Sequence, residues 1–435
     1  NYTVIVTDKN ECKDTSTVIL IQPNIVSVST SVISNYNGEN ISCYGYNDGI
    51  ASSIGIGGTG LLSYNWSNGS TNDTLYNVNA GTYKVIVTDI NGCKDSTTVS
   101  LTQPDSIGLT TDILSNYNGE NISCFGESDG KAFVFATNGT GTYSYNWSNN
   151  TTNDTLENVE AGIYVVEVTD INGCVDNAEV TISQPDSLSL SLNITSNYNG
   201  QNISCFGEND GSINSTLIGG TIGYSYDWAS GENTSSINNL TIGSYTLTVT
   251  DTNGCQITKS ITLQQPDSLI ANTISNSDYN GVNISCFDSL DGEALVNVVG
   301  GTSNYSYLWS NNDSDNTLND VGAGSYSVIV KDVNNCVDTA YIILTEPDSI
   351  STSEILTDVS CNGGNDGAVD LTVSGGIPGY QYNWNGPAGF TATTQDISNI
   401  AAGNYIVAIT DLNGCKKSDL NIVVDPSAIS LDYNL

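Results

Sequence analysis

Eleven cysteines recur at regular positions along the 435-residue chain, and their thiols are its most reactive side chains. They are Cys12, Cys43, Cys93, Cys124, Cys174, Cys205, Cys255, Cys286, Cys336, Cys361 and Cys415. Thiolate zinc sites use clustered pairs such as Cys-x-x-Cys, often with histidine, and the sequence has no such pair and no histidine. The cysteines therefore predict disulfides rather than a metal site, and disulfides indicate an oxidising, extracytoplasmic compartment.

Two pairing patterns fit the cysteine spacing. Pairs within a repeat are 50 residues apart four times and 54 once, whereas pairs across a joint are 31 apart four times and 25 once. Loop-closure entropy favours the longer loop by only about 0.4 kcal/mol and does not decide between them. We expect pairing within repeats, because pairing across a joint would fold neighbouring repeats back on each other. The expected bonds are Cys43–Cys93, Cys124–Cys174, Cys205–Cys255, Cys286–Cys336 and Cys361–Cys415, with Cys12 left unpaired.

An internal repeat of about 81 residues sets this spacing. The hexamer "TDINGC" ends at Cys93 and again at Cys174, and each repeat ends at a proline. Five full repeats are predicted, at 24–104, 105–185, 186–266, 267–347 and 348–426. Residues 1–23 match the C-terminal part of a repeat and 427–435 match the start of one, so we expect a segment of a longer protein. The proline at each joint, followed directly by the next repeat, predicts a stiff connection.

Apolar and polar residues alternate with period two through most of each repeat, which is typical of half-buried strands. In residues 105–185, "TYSYNW" places Tyr143, Tyr145 and Trp147 on one face and Ser144 on the other. We expect an all-β fold, with each repeat an immunoglobulin-like β-sandwich of six or seven strands and the whole an elongated rod or fibre. One tryptophan per repeat is predicted for the core: Trp66, Trp147, Trp228, Trp309 and Trp384.

Acidic residues outnumber basic ones by 47 to 9, giving a net charge of −38 at pH 7. Nucleic acids and anionic lipids need a cationic surface, so neither is an expected partner. No stretch approaches the roughly 18 apolar residues of a membrane-spanning helix, so no membrane insertion is expected.

Catalysis is not expected, because a chain without histidine cannot build Ser-His or Cys-His nucleophiles. Asp-x-Asn-Gly sequences before four of the cysteines could begin a calcium loop, since that ion prefers oxygen ligands. The bidentate glutamate that closes such a loop is absent, so a hairpin turn is favoured and no cofactor is expected. Calcium between neighbouring repeats, bound by acids such as Asp105 and Glu120, is the alternative.

The sequences "GTYKVIVTDINGC", "SCFGESDG" and "GGTIGYSYDW" resemble the SprB-type repeat of giant cell-surface adhesins from gliding Bacteroidetes, a relative of PKD and immunoglobulin-like domains. The resemblance covers all five repeats. It implies a secreted, cell-surface protein, exported by the type IX secretion system, with a role in adhesion or gliding.

The resemblance also implies O-glycosylation, since secreted proteins of that phylum carry sugar at Asp-Ser or Asp-Thr before a small or aliphatic residue. The matching positions are Thr74, Ser106, Thr155, Ser187, Ser268 and Ser349. An ordinary turn or strand start explains the same residues without any modification.

Two functions from different classes fit these observations. The first is a structural stalk or filament segment that reaches extracellular surfaces or polysaccharide through parts of the parent protein outside this sequence. The second is a binding module in which each repeat holds a carbohydrate or surface weakly and multivalency supplies avidity. Aromatic side chains recurring on a solvent-facing edge would favour binding, whereas polar ones favour a stalk. Self-association into a thicker fibre is also expected where cations screen the negative charge.

Overall fold

The computed structural model describes residues 1–430, and it confirms the predicted all-β class. Within that range the only helical element is a short 3-10 turn, Pro387–Gly389. No helix in the described chain has the length and apolar character needed to span a bilayer. Of the predicted final stretch 427–435, residues 431–435 lie outside the described residues.

The strands recur in sets along the chain. Residues 1–23 contain β1 (Tyr2–Thr7) and β2 (Lys13–Val18). Residues 24–104 contain β3 (Ser27–Val32), β4 (Gly49–Ile56), β5 (Ser63–Trp66), β6 (Thr74–Val78), β7 (Gly81–Thr88) and β8 (Lys94–Leu101). Residues 105–185 contain β9 (Gly108–Ile113), β10 (Gly130–Thr137), β11 (Ser144–Trp147), β12 (Thr155–Val159), β13 (Gly162–Thr169) and β14 (Val175–Ile182).

The same pattern continues in the later repeats. Residues 186–266 contain β15 (Ser189–Ile194), β16 (Gly211–Ile218), β17 (Ser225–Trp228), β18 (Ser236–Leu240), β19 (Gly243–Thr250) and β20 (Gln256–Leu263). Residues 267–347 contain β21 (Ile270–Ser275), β22 (Gly292–Val299), β23 (Ser306–Trp309), β24 (Thr317–Val321), β25 (Gly324–Lys331) and β26 (Val337–Leu344). Residues 348–426 contain β27 (Ser351–Thr357), β28 (Gly367–Ser374), β29 (Gln381–Asn385), β30 (Thr391–Ala392), β31 (Ile397–Ile400), β32 (Gly403–Thr410) and β33 (Lys416–Val423).

The described chain forms two compact units. The first consists of Asn1–Leu190, Leu217–Ser225 and Thr248–Ile257. The second consists of Ser191–Thr216, Tyr226–Leu247 and the chain from Thr258 onward. The division therefore runs through residues 186–266, which contribute to both units.

In the first unit, each of the first two repeats consists of two three-stranded antiparallel sheets. Their orders are β3-β4-β6 and β5-β7-β8 in the first repeat, and β9-β10-β12 and β11-β13-β14 in the second. The longest ladders, β7 with β8 and β13 with β14, each pair eight residues, the second from Gly162 opposite Ile182 to Thr169 opposite Val175. The short strands β11 and β12 belong to different sheets, so the chain crosses between the sheets in the middle of the repeat.

Alternation along the strands produces the core between the two sheets. In β10, Ala132 and Val134 point inward, and they pack with Val166 and Val168 of the opposite sheet. Each fully buried aliphatic side chain contributes roughly 1.5–3 kcal/mol relative to an exposed one. Tyr143 and Tyr145, the aromatics expected on the inward face, are partly buried against this same cluster.

The five tryptophans predicted for the core have relative exposures between 0% and 2%. Each indole N–H donates to a backbone carbonyl, so its one polar group is satisfied despite burial. The acceptors, at 2.8–3.0 Å, are Asn72 for Trp66, Asn153 for Trp147, Thr234 for Trp228, Asp315 for Trp309 and Thr394 for Trp384.

In the second unit, the fourth and fifth repeats use the same arrangement. The sheet orders are β21-β22-β24 and β23-β25-β26 in the fourth repeat, and β27-β28-β31 and β30-β29-β32-β33 in the fifth. The fifth repeat adds the two-residue strand β30 beside β29, and there Phe390 packs edge-on against Tyr405 with ring centroids 5.3 Å apart.

Each repeat has two distinct ends, and they position the cysteines. At the end where the chain comes in, which we call the proximal end, the Gly58 N–H donates to the Asn24 carbonyl at 2.9 Å. At the opposite, distal end, the Thr102 N–H donates to the Asn40 side chain at 3.0 Å as the chain leaves. Strand β4 runs between them, and eight residues of strand span roughly 27 Å.

A pair of glycines marks the proximal end. Gly57 has φ +78°, and a Cβ at this position would lie 2.1 Å from the Ile25 carbonyl oxygen. A side chain at Gly57 would be both strained and crowded. The second repeat instead has Asn138, with φ +61°, at the equivalent position. The sequence "GG" therefore fixes the first residues of a repeat against the end of its second strand.

Candidate functional site

The recurring pentapeptide Asp-x-Asn-x-Cys forms a closed turn at the proximal end of each repeat. In the second repeat, Asp170 is buried, and its Oδ1 accepts the N–H groups of Asn172 and Cys174 at 2.9 and 3.0 Å. Its Oδ2 accepts the Thr140 N–H at 2.8 Å. Both carboxylate oxygens therefore accept hydrogen bonds from backbone N–H groups, as expected of a hairpin turn. We call the stretch from this aspartate to its cysteine the cysteine turn.

The distal end presents a different structure, which we call the socket, formed by Tyr36–Asn37 and Ser42–Cys43. The Ser42 N–H donates to Asp48 Oδ1 at 3.1 Å, which fixes the Ser-Cys backbone. Asn37 is left-handed, with φ +52°, in a tight loop closed by hydrogen bonds between Tyr36 and Glu39. The socket therefore presents carbonyl oxygens and one amide side chain from a fixed backbone.

The cysteine turn of one repeat docks in the socket of the repeat before it. Asn172 Nδ2 donates to the carbonyl oxygens of Tyr36 and Ser42 at 3.3 and 3.2 Å. Its Oδ1 accepts from Asn37 Nδ2 at 2.6 Å. Both the nitrogen and the oxygen of the Asn172 side-chain amide therefore form hydrogen bonds across the joint.

The same contact recurs at the other three joints. The docking asparagines there are Asn253, Asn334 and Asn413, which accept from Asn118, Asn199 and Asn280 at 2.5–2.6 Å. They donate at 2.9–3.2 Å to the tyrosine and serine carbonyls at Tyr117 and Ser123, Tyr198 and Ser204, and Tyr279 and Ser285. A four-fold recurrence within one chain makes the docked turn a regular feature of the fold.

A disulfide fastens each docked turn to its socket. Cys43 bonds to Cys174, with Cα atoms 5.5 Å apart and a sequence separation of 131. The other bonds are Cys124–Cys255, Cys205–Cys336 and Cys286–Cys415. The Cys174 sulfur also lies 3.3 Å from the Ser42 carbonyl oxygen.

These bonds overturn the predicted pairing within repeats. The expected bonds Cys43–Cys93, Cys124–Cys174, Cys205–Cys255, Cys286–Cys336 and Cys361–Cys415 are absent from residues 1–430, and so is the alternative with the shorter spacing. The reason is geometric, because Cys43 lies at the distal end of its repeat and Cys93 at the proximal end. Gly45 N–H donates to the Gln103 side chain near the distal end, whereas the Cys93 turn is tied to Thr59. A strand's length separates the two sulfurs, so Cys43 meets the next repeat at Cys174, whereas Cys93 stays free and exposed.

A hollow lies beside the disulfide at three of the joints. Its volume is about 280 Å³ at Cys43–Cys174, about 410 Å³ at Cys124–Cys255 and about 320 Å³ at Cys286–Cys415. All three are lined by an aromatic residue after the socket cysteine and by the Asp-Ser pair that opens the next repeat. We call these the joint hollows.

The family model described as "SprB repeat" matches residues 116–152, 197–233, 279–314 and 353–389. The chain contains four SprB repeats. Each matched segment includes one socket cysteine and the core tryptophan that follows it, as Cys124 and Trp147 do in the first. The resemblance seen in the sequence is therefore confirmed in the second to fifth repeats.

No curated protein matches this sequence. Among solved structures, the protocadherin gammaB4 extracellular domain is 12% identical with a TM-score of 0.26, covering 98% of this chain and 81% of that one. The N-terminal eight Ig domains of Down Syndrome Cell Adhesion Molecule are 11% identical with a TM-score of 0.25, covering 96% of this chain and 76% of that one. Scores at this level carry no argument about the chain.

Three cysteines are free in the described chain: Cys12, Cys93 and Cys361. All three are exposed. Cys93 belongs to a fully formed cysteine turn, in which Asp89 accepts the N–H groups of Asn91 and Cys93 at 2.9 and 2.8 Å. These bonds, the one to Cys93 first, hold the pKa of Asp89 below its ordinary value. The turn therefore forms without a socket around it.

The predicted glycosylation positions fall in two environments. Ser106, Ser187, Ser268 and Ser349 are exposed at the start of their repeats, and three of them line joint hollows. Thr74 and Thr155 instead donate their hydroxyl groups to the preceding aspartates at 3.0 Å. Glycosylation at any of them stays a prediction.

The two acids suggested for calcium lie at different joints between repeats. Asp105 lines the hollow beside Cys43, whereas Glu120 lies with Asp186 at the next joint. Glu120 also accepts the Ser183 hydroxyl at 2.8 Å. Within residues 1–430, no three His, Cys, Asp or Glu side chains are grouped so that they could hold a metal ion.

The aspartates behind the second and third sockets, Asp129 and Asp210, are held ionised. Burial opposes ionisation of Asp129, but hydrogen bonds from Ser123 outweigh it and lower its pKa. Asp210 behaves in the same way through Ser204. The charge on these carboxylates therefore stabilises the Ser-Cys backbone that receives the next repeat.

Proposed function

We propose that this chain is a stalk segment of a secreted cell-surface adhesin, in which every repeat is fastened to its neighbours. The observation that carries the proposal is the disulfide from Cys43 to Cys174, which joins two repeats rather than closing one. A bond inside a repeat stabilises only that repeat, whereas a bond across a joint also transmits load from one repeat to the next. The docked asparagine supports the same role, because it fixes each joint without covalent chemistry.

The four disulfides overlap along the sequence, and their overlap shortens the covalent path through the chain. From Cys43 the path crosses to Cys174, follows the backbone forward to Cys205, crosses to Cys336, returns along the backbone to Cys286 and crosses to Cys415. At about 3.5 Å per extended residue, that path is about 280 Å, against roughly 1,300 Å for the full backbone between the same two cysteines. An oxidised stalk would therefore resist unravelling even after its sandwiches had opened.

Several finer features belong to the proposal. Disulfides indicate an oxidising location, and SprB repeats support export to the cell surface. We propose type IX secretion, a part in adhesion or gliding, and a lengthwise succession of repeats in a filament. Other parts of the parent protein would contact extracellular surfaces or polysaccharide. Self-association into a fibre stays a prediction. Sugar on Ser106, Ser187, Ser268, Ser349, Thr74 or Thr155 is tested by the intact mass of protein from its native host.

Single-molecule stretching tests the stalk. The chain is tethered by its two ends and pulled before and after treatment with a reducing agent. We expect reduction to release about 290 further residues between Cys43 and Cys415, or about 1,000 Å at ~3.5 Å per residue.

The Cys93→Ser variant is the matched control, because Cys93 is free and lies outside the bonded set. Its extension should equal that of the unmodified chain in both states. Equal extension of the oxidised and reduced unmodified chain would refute the load-bearing role.

A further inference from the structure

A half-exposed aromatic ring follows the socket cysteine in each of the first four repeats. These residues are Tyr44, Phe125, Phe206 and Phe287, with relative exposures of 49–60%. Rings needed for packing are buried in this fold, as the tryptophans show. A large ring left in solvent at the same place four times has no packing explanation, and recurring exposed aromatics of this kind indicate binding.

Polar groups without protein partners face the same joint hollows. At Cys124–Cys255 the hollow is lined by Phe125, Asp186 and Ser187. Asp186 and Ser187 are exposed, and within residues 1–430 neither the carboxylate nor the hydroxyl has a hydrogen-bond partner. The hollow therefore offers a ring surface, a charged acceptor and a hydroxyl to one ligand.

The equivalent groups recur at two other joints. Asp105 and Ser106 line the hollow beside Tyr44, and Asp348 and Ser349 line the hollow beside Phe287. The sites recur with the period of the repeat in sequence, so one chain offers several equivalent sites to a ligand.

The geometry points to a saccharide without acidic groups as the ligand, and we propose the joint hollows as its binding sites. A sugar ring has an apolar C–H face that packs on an aromatic ring and a rim of hydroxyls that donate to a carboxylate. A few polar groups beside an aromatic wall are the usual composition of small-ligand sites. With a net charge of −38, the chain repels polyanions, so uronic acid polymers and sulfated sugars are disfavoured as ligands, even though Lys416 and Lys417 line the hollow at Cys286–Cys415. This proposal stands apart from the stalk, because binding at the hollows does not require load-bearing.

Ligand-observed saturation-transfer NMR tests the sites on the full chain, with the absence of attached sugar verified by intact mass. The probes are hexamers of β-1,4-glucose, α-1,4-glucose and β-1,4-glucosamine, with a hexamer of α-1,4-galacturonate as the acidic comparison. We expect transfer to the ring C–H protons of at least one of the first three and none to the galacturonate. Absence of transfer to all of the first three, or equal transfer to the galacturonate, would overturn the proposal.

The variant combining Tyr44→Ala, Phe125→Ala, Phe206→Ala and Phe287→Ala should lose the signal with its net charge unchanged. The matched control is Phe135→Ala, an exposed ring on β10 that lines none of the hollows. Retained transfer in the fourfold variant, or equal loss in the control, would contradict the assignment. The single variant Asp186→Asn tests the polar wall of one hollow and should weaken the signal in part.

Discussion

Cys43 and Cys174 stand 131 positions apart in different repeats, yet their Cα atoms lie 5.5 Å apart in a disulfide. Their pairing follows from where each residue sits in its own sandwich, one at the distal end and one at the proximal end. Two neighbouring repeats meet at those ends. The disulfide therefore marks the joint rather than the interior of a repeat.

Counting thiols distinguishes this pairing from both alternatives. The structure leaves Cys12, Cys93 and Cys361 free and exposed, so the native chain should contain three reactive thiols. Pairing within repeats would leave only Cys12 free, and pairing across joints at the shorter spacing would leave only Cys415. Titration with a thiol reagent without reduction gives the number, and peptide mapping identifies the residues. One reactive thiol instead of three would contradict the observed pairing.

Because the four disulfides overlap in sequence, either of the two interior bonds, Cys124–Cys255 or Cys205–Cys336, is enough to limit the extension of the pulled chain. Removal of Cys205–Cys336 leaves a path from Cys174 back along the backbone to Cys124, across to Cys255, and forward to Cys286. The new path is as long as the original, so the variant with Cys205→Ser and Cys336→Ser should reach the same maximum extension under force. Adding Cys124→Ser and Cys255→Ser should lengthen it by about 30 residues, or about 110 Å.

Stretching the double and fourfold variants side by side checks this redundancy. The double variant also loses the stabilisation that one disulfide gives the folded state, which is about 5 kcal/mol in the loop-entropy model. We expect the third and fourth repeats of the double variant to open at lower force, with no change in the final extension. A longer final extension of the double variant would show that the bonds do not act as a connected ladder.

Sequence reasoning could predict the fold class, the core tryptophans and the aspartate turn, because each depends on local alternation or local turn chemistry. The disulfide pairing depends instead on how often the chain crosses the repeat between two cysteines. Four strands separate Cys43 from Cys93, and an even number suggests that both lie at one end. In fact β5 and β6 belong to different sheets and together traverse the repeat once. Nothing in the alternation of a four-residue and a five-residue strand reveals that division.

The docking role of the asparagine did leave a signal in the sequence. The residue two positions after the turn aspartate is asparagine in every copy, including Asn10 and Asn334, whereas the next position changes from glycine to Glu11 or Asn335. A turn requires the left-handed residue, which is the variable one. A fixed Asn172 beside it indicates a partner for its side chain, and the structure supplies that partner in the socket.

Substitution of the docking asparagine should weaken a joint while leaving its turn intact. Asn172→Ala removes the bonds to Asn37, Tyr36 and Ser42, and the expected cost of about 1–2 kcal/mol corresponds to a roughly 5- to 30-fold easier opening. Reduction of Cys43–Cys174 by a dithiol, followed by alkylation and mass spectrometry, measures that opening.

The first repeat provides the control for this substitution. Asn91 occupies the same position in a turn whose cysteine is free, and its side chain has no hydrogen-bond partner within residues 1–430. Asn91→Ala should change the reduction rate of Cys43–Cys174 by less than about twofold, as surface substitutions usually do. Similar rates for the two variants would show that the asparagine serves the turn and not the joint.

Acidification should loosen the joints through the aspartates that hold the sockets. The pKa of Asp129 is lower in the folded chain than the roughly 3.9 of an unfolded aspartate, so its stabilisation is present above about pH 4. That stabilisation is lost as the pH falls through the folded-state pKa. Comparison with Asp129→Asn isolates the contribution, since lowering the pH also relieves the general repulsion among the chain's acidic groups.

At neutral pH, a reductant should cleave Cys124–Cys255 faster in the Asp129→Asn variant than in the unmodified chain. The two rates should converge below about pH 4, when both are measured with a phosphine reductant that stays active in acid. A difference that persists or grows as the pH falls would show that the charge of Asp129 does not hold the socket.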